Sequence, residues 1–403
     1  MIYISSRFTP KELDELIHRN NMSKSEVINI LISLIEGSNS GEIRAKFLHM
    51  FEKLSLKNQK AFAFIENLLI SDESQIVRAI AAEVIVKLFP ENIVEPLKWT
   101  IQNDNSAYVL TTIHKLIRNI DNQFNDILQS EYLKRLEIIA KNYAVILKEA
   151  EFLMDIGLNP NFYRDFDSYS KRNVIYGDNI LVITKKNHIR AISLSNWKPE
   201  SLPESIRNLE NLKYLNLSCN ELKILPTSID ELSQLKFLDL GWNKFQSIPS
   251  FLAKVKSVKN FRLDLDHNEI KSIPQWIDNL ESLNYLNLRN NQIKVIPESL
   301  GNLNNLEYLD LRENQIEIIP DSIGLNTSLK VLWLNNNRIK YIPKSIGSLK
   351  LLEVLDLGNN IIEEIPQELS KLKSLHFLNL KNNKIKEIPE SIKKLDKLKT
   401  VKV

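Results

Sequence analysis

Apolar residues recur at a fixed spacing from residue 189 to the end of the chain. In one copy of this pattern they stand at Leu283, Leu286, Leu288, Ile293, Ile296 and Leu300. Later copies open at Leu306, Leu329, Leu352, Leu375 and Leu398, each 23 residues after the opener before it. One copy is too short to bury these side chains alone, so successive copies must stack. The pattern therefore predicts a solenoid.

An asparagine and a proline accompany the apolar pattern in nearly every copy. The asparagines are Asn220, Asn243, Asn268, Asn291, Asn314, Asn337, Asn360 and Asn383, and a proline follows each of them six residues later. Unpaired backbone groups in a buried turn cost about 1–3 kcal/mol each, so we predict that the amide side chains satisfy them as a continuous ladder. The prolines exclude a long helix from the second half of each copy.

Helical periodicity dominates the first part of the chain, from about residue 10 to residue 157. Ser23 and Glu26 form a capping-box pattern before an apolar stripe that ends near Gly37. Another apolar stripe begins at Ile76 and is closed by Pro90. We predict an all-α domain over residues 1–158.

Three further segments complete the predicted domain organisation. Residues 159–173 are polar and aromatic and include Pro160, so we predict a connector there. Residues 174–188 carry two apolar runs around Gly177, which is typical of a hairpin that caps the solenoid. Residues 189–403 hold nine copies of the repeat and a partial last strand.

Three copies depart from the pattern. Trp197 stands where the first copy should carry its asparagine. The interval from the opener Val258 to Leu283 is 25 residues, which predicts a two-residue insertion between residues 253 and 262. Asn326 stands where leucine is usual.

Composition and charge limit the partners and the location that the sequence predicts. The 403 residues are 43% apolar and 26% charged, with a net charge of +3, so a basic nucleic-acid-binding face is not indicated. The single cysteine, Cys219, can form no intrachain disulfide. The N-terminus lacks a secretory pattern, and no apolar run approaches the ~18 residues that span a bilayer. We expect a cytoplasmic protein without a membrane span.

The repeat resembles the leucine-rich-repeat family, in the form Leu-x-x-Leu-x-Leu-x-x-Asn-x-Ile-x-x-Ile-Pro-x-x-Ile-x-x-Leu. This form is similar to that of intracellular leucine-rich-repeat scaffolds that bind Ras-like GTPases. The resemblance implies an α/β horseshoe, a parallel β-sheet solenoid in which each short strand joins a concave sheet. It also implies a non-enzymatic scaffold that needs no cofactor and binds a protein partner, such as a small Ras-like GTPase or a phosphatase.

The helical part resembles HEAT or armadillo repeats, most clearly at Asp72, Val77, Arg78 and the alanines that follow. Weaker echoes lie around residues 42–45 and 108–111. The resemblance implies stacked helix pairs, and an irregular helical bundle is the alternative. The chain is therefore predicted to be multidomain, with an all-α HEAT-like domain before the leucine-rich repeats.

Side chains between the inward leucines of each strand should point out over the sheet, because strand residues alternate between faces. Exposed Trp, Tyr and Arg are enriched at binding hot spots. Trp242 and Trp333 do not recur in other copies, which makes them the stronger candidates. The predicted partner-binding residues are Asp239, Trp242, Arg262, Asp264, Asp266, His267, Tyr285, Arg289, Tyr308, Asp310, Arg312 and Trp333.

Two alternative functions follow from other clusters. Asp264, Asp266 and His267 resemble a metal-binding group, which would suit a metal-dependent enzyme. Lysines crowd the last copies, from Lys381 to Lys402, which would suit an anionic surface or a nucleic acid. Acidic residues are frequent at these strand positions, and lysines also keep a sheet edge soluble, so we favour the protein-binding scaffold and expect no nucleic-acid partner.

Overall fold

The computed structural model describes residues 9–120, 125–143, 145, 147–156, 164–167, 172–177, 180–198, 201–254, 260–393, 395, 397–398 and 400–402. The chain divides into two compact units, residues 1–162 and 163–403. Helices make up the first unit, and a sheet with its return turns makes up the second. The predicted fold class, a helical domain followed by a parallel-sheet solenoid, is confirmed.

The helices of the first unit begin at recognisable caps. The capping boxes at Thr9 and Ser23 are complete, since each hydroxyl accepts from the amide three residues on and each glutamate returns the contact. The helices are α1 (Pro10–Asn20), α2 (Lys24–Glu36), α3 (Gly41–Lys53), α4 (Gln59–Ser71), α5 (Gln75–Leu88), α6 (Val94–Asn103), α7 (Ala107–Arg118), α8 (Asn125–Tyr143) and α9 (Leu147–Asp155).

An arginine–aspartate pair recurs between successive helix pairs of this unit. Arg44 on α3 donates to Asp72 from Nε at 3.0 Å and from Nη2 at 2.7 Å. Arg78 on α5 donates to Asp104 from Nε at 2.7 Å and from Nη2 at 3.2 Å. Each aspartate also accepts from a backbone amide two residues on, at the entry to α5 or α7. The pair thus joins α3 to the loop between α4 and α5, and α5 to the loop between α6 and α7. This recurrence fits the HEAT-like repeat.

A single sheet runs through the second unit with its strands in sequence order. Strands β1 to β4 pair antiparallel, and β4 to β13 pair parallel. The strands are β1 (Arg164–Asp167), β2 (Arg172–Gly177), β3 (Ile180–Lys185), β4 (His188–Ser193), β5 (Tyr214–Asn216), β6 (Phe237–Asp239), β7 (Phe261–Asp264), β8 (Leu283–Asn287), β9 (Tyr308–Asp310), β10 (Val331–Trp333), β11 (Val354–Asp356), β12 (Phe377–Asn379) and β13 (Thr400–Lys402).

The segments before the repeats contain more sheet than the sequence pattern indicated. The proposed connector, residues 159–173, contains β1 and the first residues of β2, while residues 157–163 and 168–171 lie outside the described part. The proposed hairpin, residues 174–188, covers most of β2, all of β3 and the turn into β4. Because β1 has four residues of polar and aromatic type, it is too short to show the alternation that predicts a strand.

Each parallel strand from β4 to β11 is followed by a return segment and a 3-10 helix that begins after the repeat proline. The 3-10 helices of the repeats are Glu204–Asn208, Thr227–Glu231, Ser250–Lys254, Gln275–Asn279, Glu298–Asn302, Asp321–Leu325, Lys344–Ser348 and Gln367–Lys371, and a short helix α10 (Glu390–Lys393) follows in the same place. A β-carbon on Gly324 would lie 2.5 Å from the carbonyl oxygen of Ser345, so glycine there permits close packing of neighbouring returns.

The eight repeated asparagines hydrogen-bond backbone groups of two neighbouring copies. Asn291 Nδ2 donates to the carbonyls of Leu265, Leu288 and Arg289 at 3.0–3.2 Å. Its Oδ1 accepts from the amide of Ile270 at 2.9 Å. The other seven make equivalent contacts. Asn326 adds a contact of the same kind on the other side of the core, where its buried amide donates to three carbonyls from Leu300 to Leu303.

The copy that contains the 25-residue interval carries its two extra residues after its 3-10 helix. Phe237 pairs with Arg262, 25 residues on, and neighbouring pairs are 23 apart. Pro249 keeps the normal spacing and its 3-10 helix ends at Lys254, so the insertion falls between residues 254 and 262. Val258 lies outside the described residues, and Phe261 fills the buried opening position of this copy, so the opener predicted at Val258 was placed too early. The sequence pattern did not indicate Phe261 as the opener, because an aliphatic residue was expected at that position.

Candidate binding surface

The register of the sheet lines up the outward side chains of β3 to β12 in two rows. The first row is Ile183, Ala191, Tyr214, Phe237, Arg262, Tyr285, Tyr308, Val331, Val354 and Phe377. The second row is Leu181, Ser193, Asn216, Asp239, Asp264, Asn287, Asp310, Trp333, Asp356 and Asn379. We call the face that carries both rows the concave face.

Aromatic and arginine side chains of the first row stack on one another near the middle of the concave face. The rings of Tyr285 and Tyr308 lie 4.4 Å apart with 10° between their planes. The guanidinium of Arg262 lies 4.4 Å from the centre of the Tyr285 ring and 6.0 Å from that of Phe237. These contacts hold four large side chains in fixed positions.

The acidic and amide side chains of the second row cap the strand ends. In seven copies the side-chain oxygen accepts from the backbone amide two residues on, at 2.8–3.2 Å. Asp239, Asp264 and Asp310 therefore have a structural role besides any part in binding. Trp333 replaces such a cap in its copy, so its presence is not explained by the turn.

Trp242 and His267 form a stacked pair beside the second row. Their rings lie 3.8 Å apart with 9° between the planes, and Nδ1 of His267 is 2.7 Å from Oδ2 of Asp266. Both residues have positive φ, 54° and 49°, at a repeat position where later copies mostly carry asparagine. Left-handed backbone is costly for a bulky residue and cheap for asparagine. Trp242 is nevertheless 55% exposed, so burial does not account for it.

Arg312 links the buried Asp310 to Trp333. Its Nε lies 2.9 Å from both carboxylate oxygens of Asp310, and its guanidinium lies 4.8 Å from the centre of the Trp333 ring. Arg289 is held in the same region by Glu313, at 2.7 Å. Because the Asp310 carboxylate is buried, Arg312 is needed to balance its charge, and only part of its donor capacity can face a partner.

Three carboxylates, those of Asp239, Asp264 and Asp266, form a cluster on this face. Burial raises the pKa of Asp264 to about 7, the charges of Asp266 and Asp239 add to the rise, and hydrogen bonds from Asn287 and from the Asp266 amide oppose it. Burial also raises the pKa of Asp239.

The metal-site hypothesis gains no support from this cluster. Asp264 is bound by the amide of Asn287, and Asp266 is engaged by His267. Among the residues that the structure describes, no group of three or more His, Cys, Asp or Glu side chains could hold a metal ion. Strand alternation put these residues on one face, but their hydrogen bonds are directed at one another.

Seven of the twelve predicted binding residues therefore lie in the two rows, and the other five follow within three residues of a strand end. Of the C-terminal lysines in the alternative prediction, Lys394 and Lys399 lie outside the described residues. The sequence prediction missed the start of the concave face, where Ala191 and Ser193 occupy row positions that carry larger side chains elsewhere. A comparison of the row positions from copy to copy could have found them.

Two family models match the second unit. A leucine-rich-repeat-region model matches residues 263–359. A leucine-rich-repeat model matches residues 187–245 and 350–401. A search of curated proteins found no match to this chain. No helix in the described part of the chain is long and apolar enough to cross a membrane.

Solved structures that are similar to this chain include a leucine-rich-repeat protein of Leptospira interrogans. It is 33% identical over 50% of this chain and 57% of that one, with a TM-score of 0.43. An internalin of Listeria monocytogenes is 28% identical over 53% of this chain and 60% of that one, with a TM-score of 0.47. The plant peptide hormone receptor RGFR1, in complex with RGF2, is 27% identical over 52% of this chain and 42% of that one, with a TM-score of 0.40. This chain thus spans less than two thirds of each of them. The strand order, the repeated asparagines and the two family models show that residues 187–245 and 263–401 form leucine-rich repeats.

Proposed function

We propose that the protein is a non-enzymatic scaffold that binds a protein partner through the middle of the concave face, from Trp242 to Trp333. The observation that supports this most is the exposed Trp242 on left-handed backbone, stacked on His267 beside the ordered tyrosine and arginine side chains. Stability of the repeat does not require a tryptophan there. Aromatic and arginine side chains held on a rigid sheet are suited to act as anchors for a partner.

We propose further that the partner is a small Ras-like GTPase or a phosphatase, and that the protein is located in the cytoplasm. The Ile-Pro form of the repeat supports the partner class, and the single cysteine supports a reducing compartment. Binding of purified small GTPases to the immobilised chain, each in its GDP and GTP forms, tests the partner class. Absence of binding by every member of the panel would remove it and leave the scaffold proposal in place.

The main test is capture of partners from an extract of the source cells, with identification by mass spectrometry. Trp242→Ala and Trp333→Ala together should weaken capture of the principal partner by about 1,000-fold, since hot-spot anchors contribute about 2 kcal/mol or more each. Arg312 is unsuitable for this test, because its removal would leave Asp310 buried without a counter-charge.

Tyr341→Ala is the matched control. This aromatic residue is 59% exposed but lies outside the parallel strands. It should leave capture unchanged. If the double tryptophan variant melts like the wild type and still captures the same partner equally well, the concave middle is not the binding surface.

A further inference from the structure

A cavity of about 700 Å³ lies at the start of the concave face and shares Phe237 with the stacked side chains of its middle. Its floor is mostly apolar and comes from β3 to β6. The floor residues are Leu181, Ile183, Ala191, Ile192, Tyr214 and Phe237. Ser193 and Asn216 add polar groups along one side. Tyr214 is half exposed, so the aromatic wall is open to a ligand.

The cavity exists because two small residues interrupt the rows. Ala191 lies in the first row between Ile183 and Tyr214, and Ser193 lies in the second row between Leu181 and Asn216. In most later copies the first-row position carries an aromatic or arginine side chain that covers the strand. A methyl group on β4 therefore leaves a depression with side chains of neighbouring strands as its walls.

Positive charge surrounds this depression on one side. Lys185 and Lys186 stand at the turn from β3 to β4, and Arg190, Lys213 and Lys236 stand at the starts of β4, β5 and β6. Among the residues that the structure describes, five cations and no carboxylate line the cavity, although the whole chain carries nearly equal numbers of each sign. Within the described part of the chain, none of the four lysines makes an ion pair.

Arg190 is already positioned. Its Nη1 donates to the side chain of Asn211 at 3.0 Å and to the carbonyl of the same residue at 3.3 Å. The four lysines are free to follow a ligand, and they lie along the edge at which the parallel strands begin. An extended ligand that runs along this edge would meet all five charges.

We propose that the cavity binds an acidic, extended peptide segment of a partner protein, with one apolar side chain of the segment inserted over Ala191. The apolar floor suits such a side chain, and the row of cations matches acidic residues that flank it. The site adjoins the region of the proposed function at Phe237, but it contains neither Trp242 nor Trp333, so it can be tested separately. Lone charge pairs at an exposed rim are weak, so several cations are needed to attract the segment.

The experiment is selection of a random peptide library, displayed on phage, against the full chain. Ala191→Tyr serves as the counter-selection, because tyrosine restores the side chain that other copies carry at this position and fills the depression. We expect enriched peptides to carry acidic residues around an apolar one and to be lost on the variant. Enrichment of uncharged or basic peptides, or equal binding to the variant, would overturn the proposal.

An enriched peptide, fluorescently labelled, then gives affinities by polarisation. Lys213→Glu with Lys236→Glu should weaken its binding about tenfold or more. Lys271→Glu with Lys294→Glu makes the same change of net charge on exposed residues away from the cavity and should have little effect. Equal weakening by both pairs would show general attraction rather than a site.

Two further variants separate structural damage from loss of the site. Val354→Tyr places the same new side chain in the same row at a later copy, and it should neither lower the melting temperature nor weaken peptide binding. The Trp242→Ala, Trp333→Ala variant should bind the peptide normally. If it does while failing to capture the principal partner, the two surfaces act separately; if it loses the peptide, the cavity is not an independent site.

Discussion

At the scale of single residues, one asparagine joins two copies of the repeat. Asn291 satisfies three carbonyls and one amide that would otherwise be buried without partners, and two of these belong to the preceding copy. The side chain is buried, so water cannot readily replace it. Its contribution is the cost avoided at those backbone groups more than the strength of each bond.

Asn291→Ala should lower the free energy of unfolding by about 3 kcal/mol, because several buried backbone groups lose their partner at once. Urea unfolding followed by circular dichroism measures the loss. Asn304→Ala removes an exposed amide nearby and should change stability by less than about 0.5 kcal/mol. Equal losses in both variants would contradict the structural role given to the ladder.

Asp264 gives a prediction for the dependence of stability on pH. Its pKa in the folded protein is about 7, above the ordinary value of 3.8, so the folded state binds this proton more tightly than the unfolded state does. The protonated side chain therefore favours folding, and its contribution is lost as pH rises through about 7.

Asp264→Asn should raise the melting temperature more at about pH 8 than at about pH 5, because the variant carries no charge at either pH. Scanning calorimetry at the two pH values measures the difference from wild type. Asp321→Asn, a change at an exposed carboxylate, should show no such difference. A stabilisation that is the same at both pH values would show that Asp264 is not protonated near neutrality.

At the scale of elements, both units depend on contacts that repeat between neighbours. In the helical unit, Arg78 on α5 reaches the loop before α7, where Asp104 is almost fully buried. Removal of one partner from such a pair leaves an uncompensated charge in the interior. An exposed pair such as Lys87 with Glu52 contributes much less, because water screens it.

Arg78→Met should destabilise the helical unit by about 3–5 kcal/mol, while Lys87→Met should cost less than about 1 kcal/mol. Hydrogen exchange resolved by mass spectrometry reports the loss separately for peptides from α5 to α7 and for peptides of the sheet. If protection of α5 to α7 were the same in the two variants, the recurring pair would not stabilise the helix stack.

At the scale of the whole molecule, each copy of the repeat contacts mainly its neighbours, so one copy can substitute for another. The strand register is constant at 23 residues from β8 to β13, and the asparagine contacts repeat with it. Among the copies from β8 to β13, stability should then depend on the number of copies more than on their identity.

Deletion of residues 352–374 should leave a folded protein with one strand fewer, because Leu375 then follows residue 351 in the place of Leu352. We expect the circular dichroism spectrum of this variant to have the same shape as that of the wild type, and its melting temperature to be slightly lower. Deletion of residues 352–362, about half a copy, should abolish cooperative melting, because it breaks both the sheet register and the ladder. Similar behaviour of the two deletions would contradict the nearest-neighbour description.

The sequence predicted those features that depend on the same residue recurring at the same place. Stacked copies, the sheet and the return turns follow from recurring leucine, asparagine and proline. The stacking of Trp242 on His267 could not be predicted, because it depends on left-handed backbone at both residues. The burial of Asp310 and the cavity over Ala191 arise from neighbouring strands, and one copy read alone does not reveal them.

The constant spacing from β8 to β13 also affects how the gene can change. A duplication or loss of whole 23-residue units keeps leucine over leucine and asparagine over asparagine, whatever the point at which the break occurs. The array can therefore lengthen or shorten by recombination between copies without an intermediate that fails to fold. The 25-residue interval before Arg262 breaks the 23-residue spacing. Recombination across this interval, near Trp242 and His267, would therefore put the copies out of register.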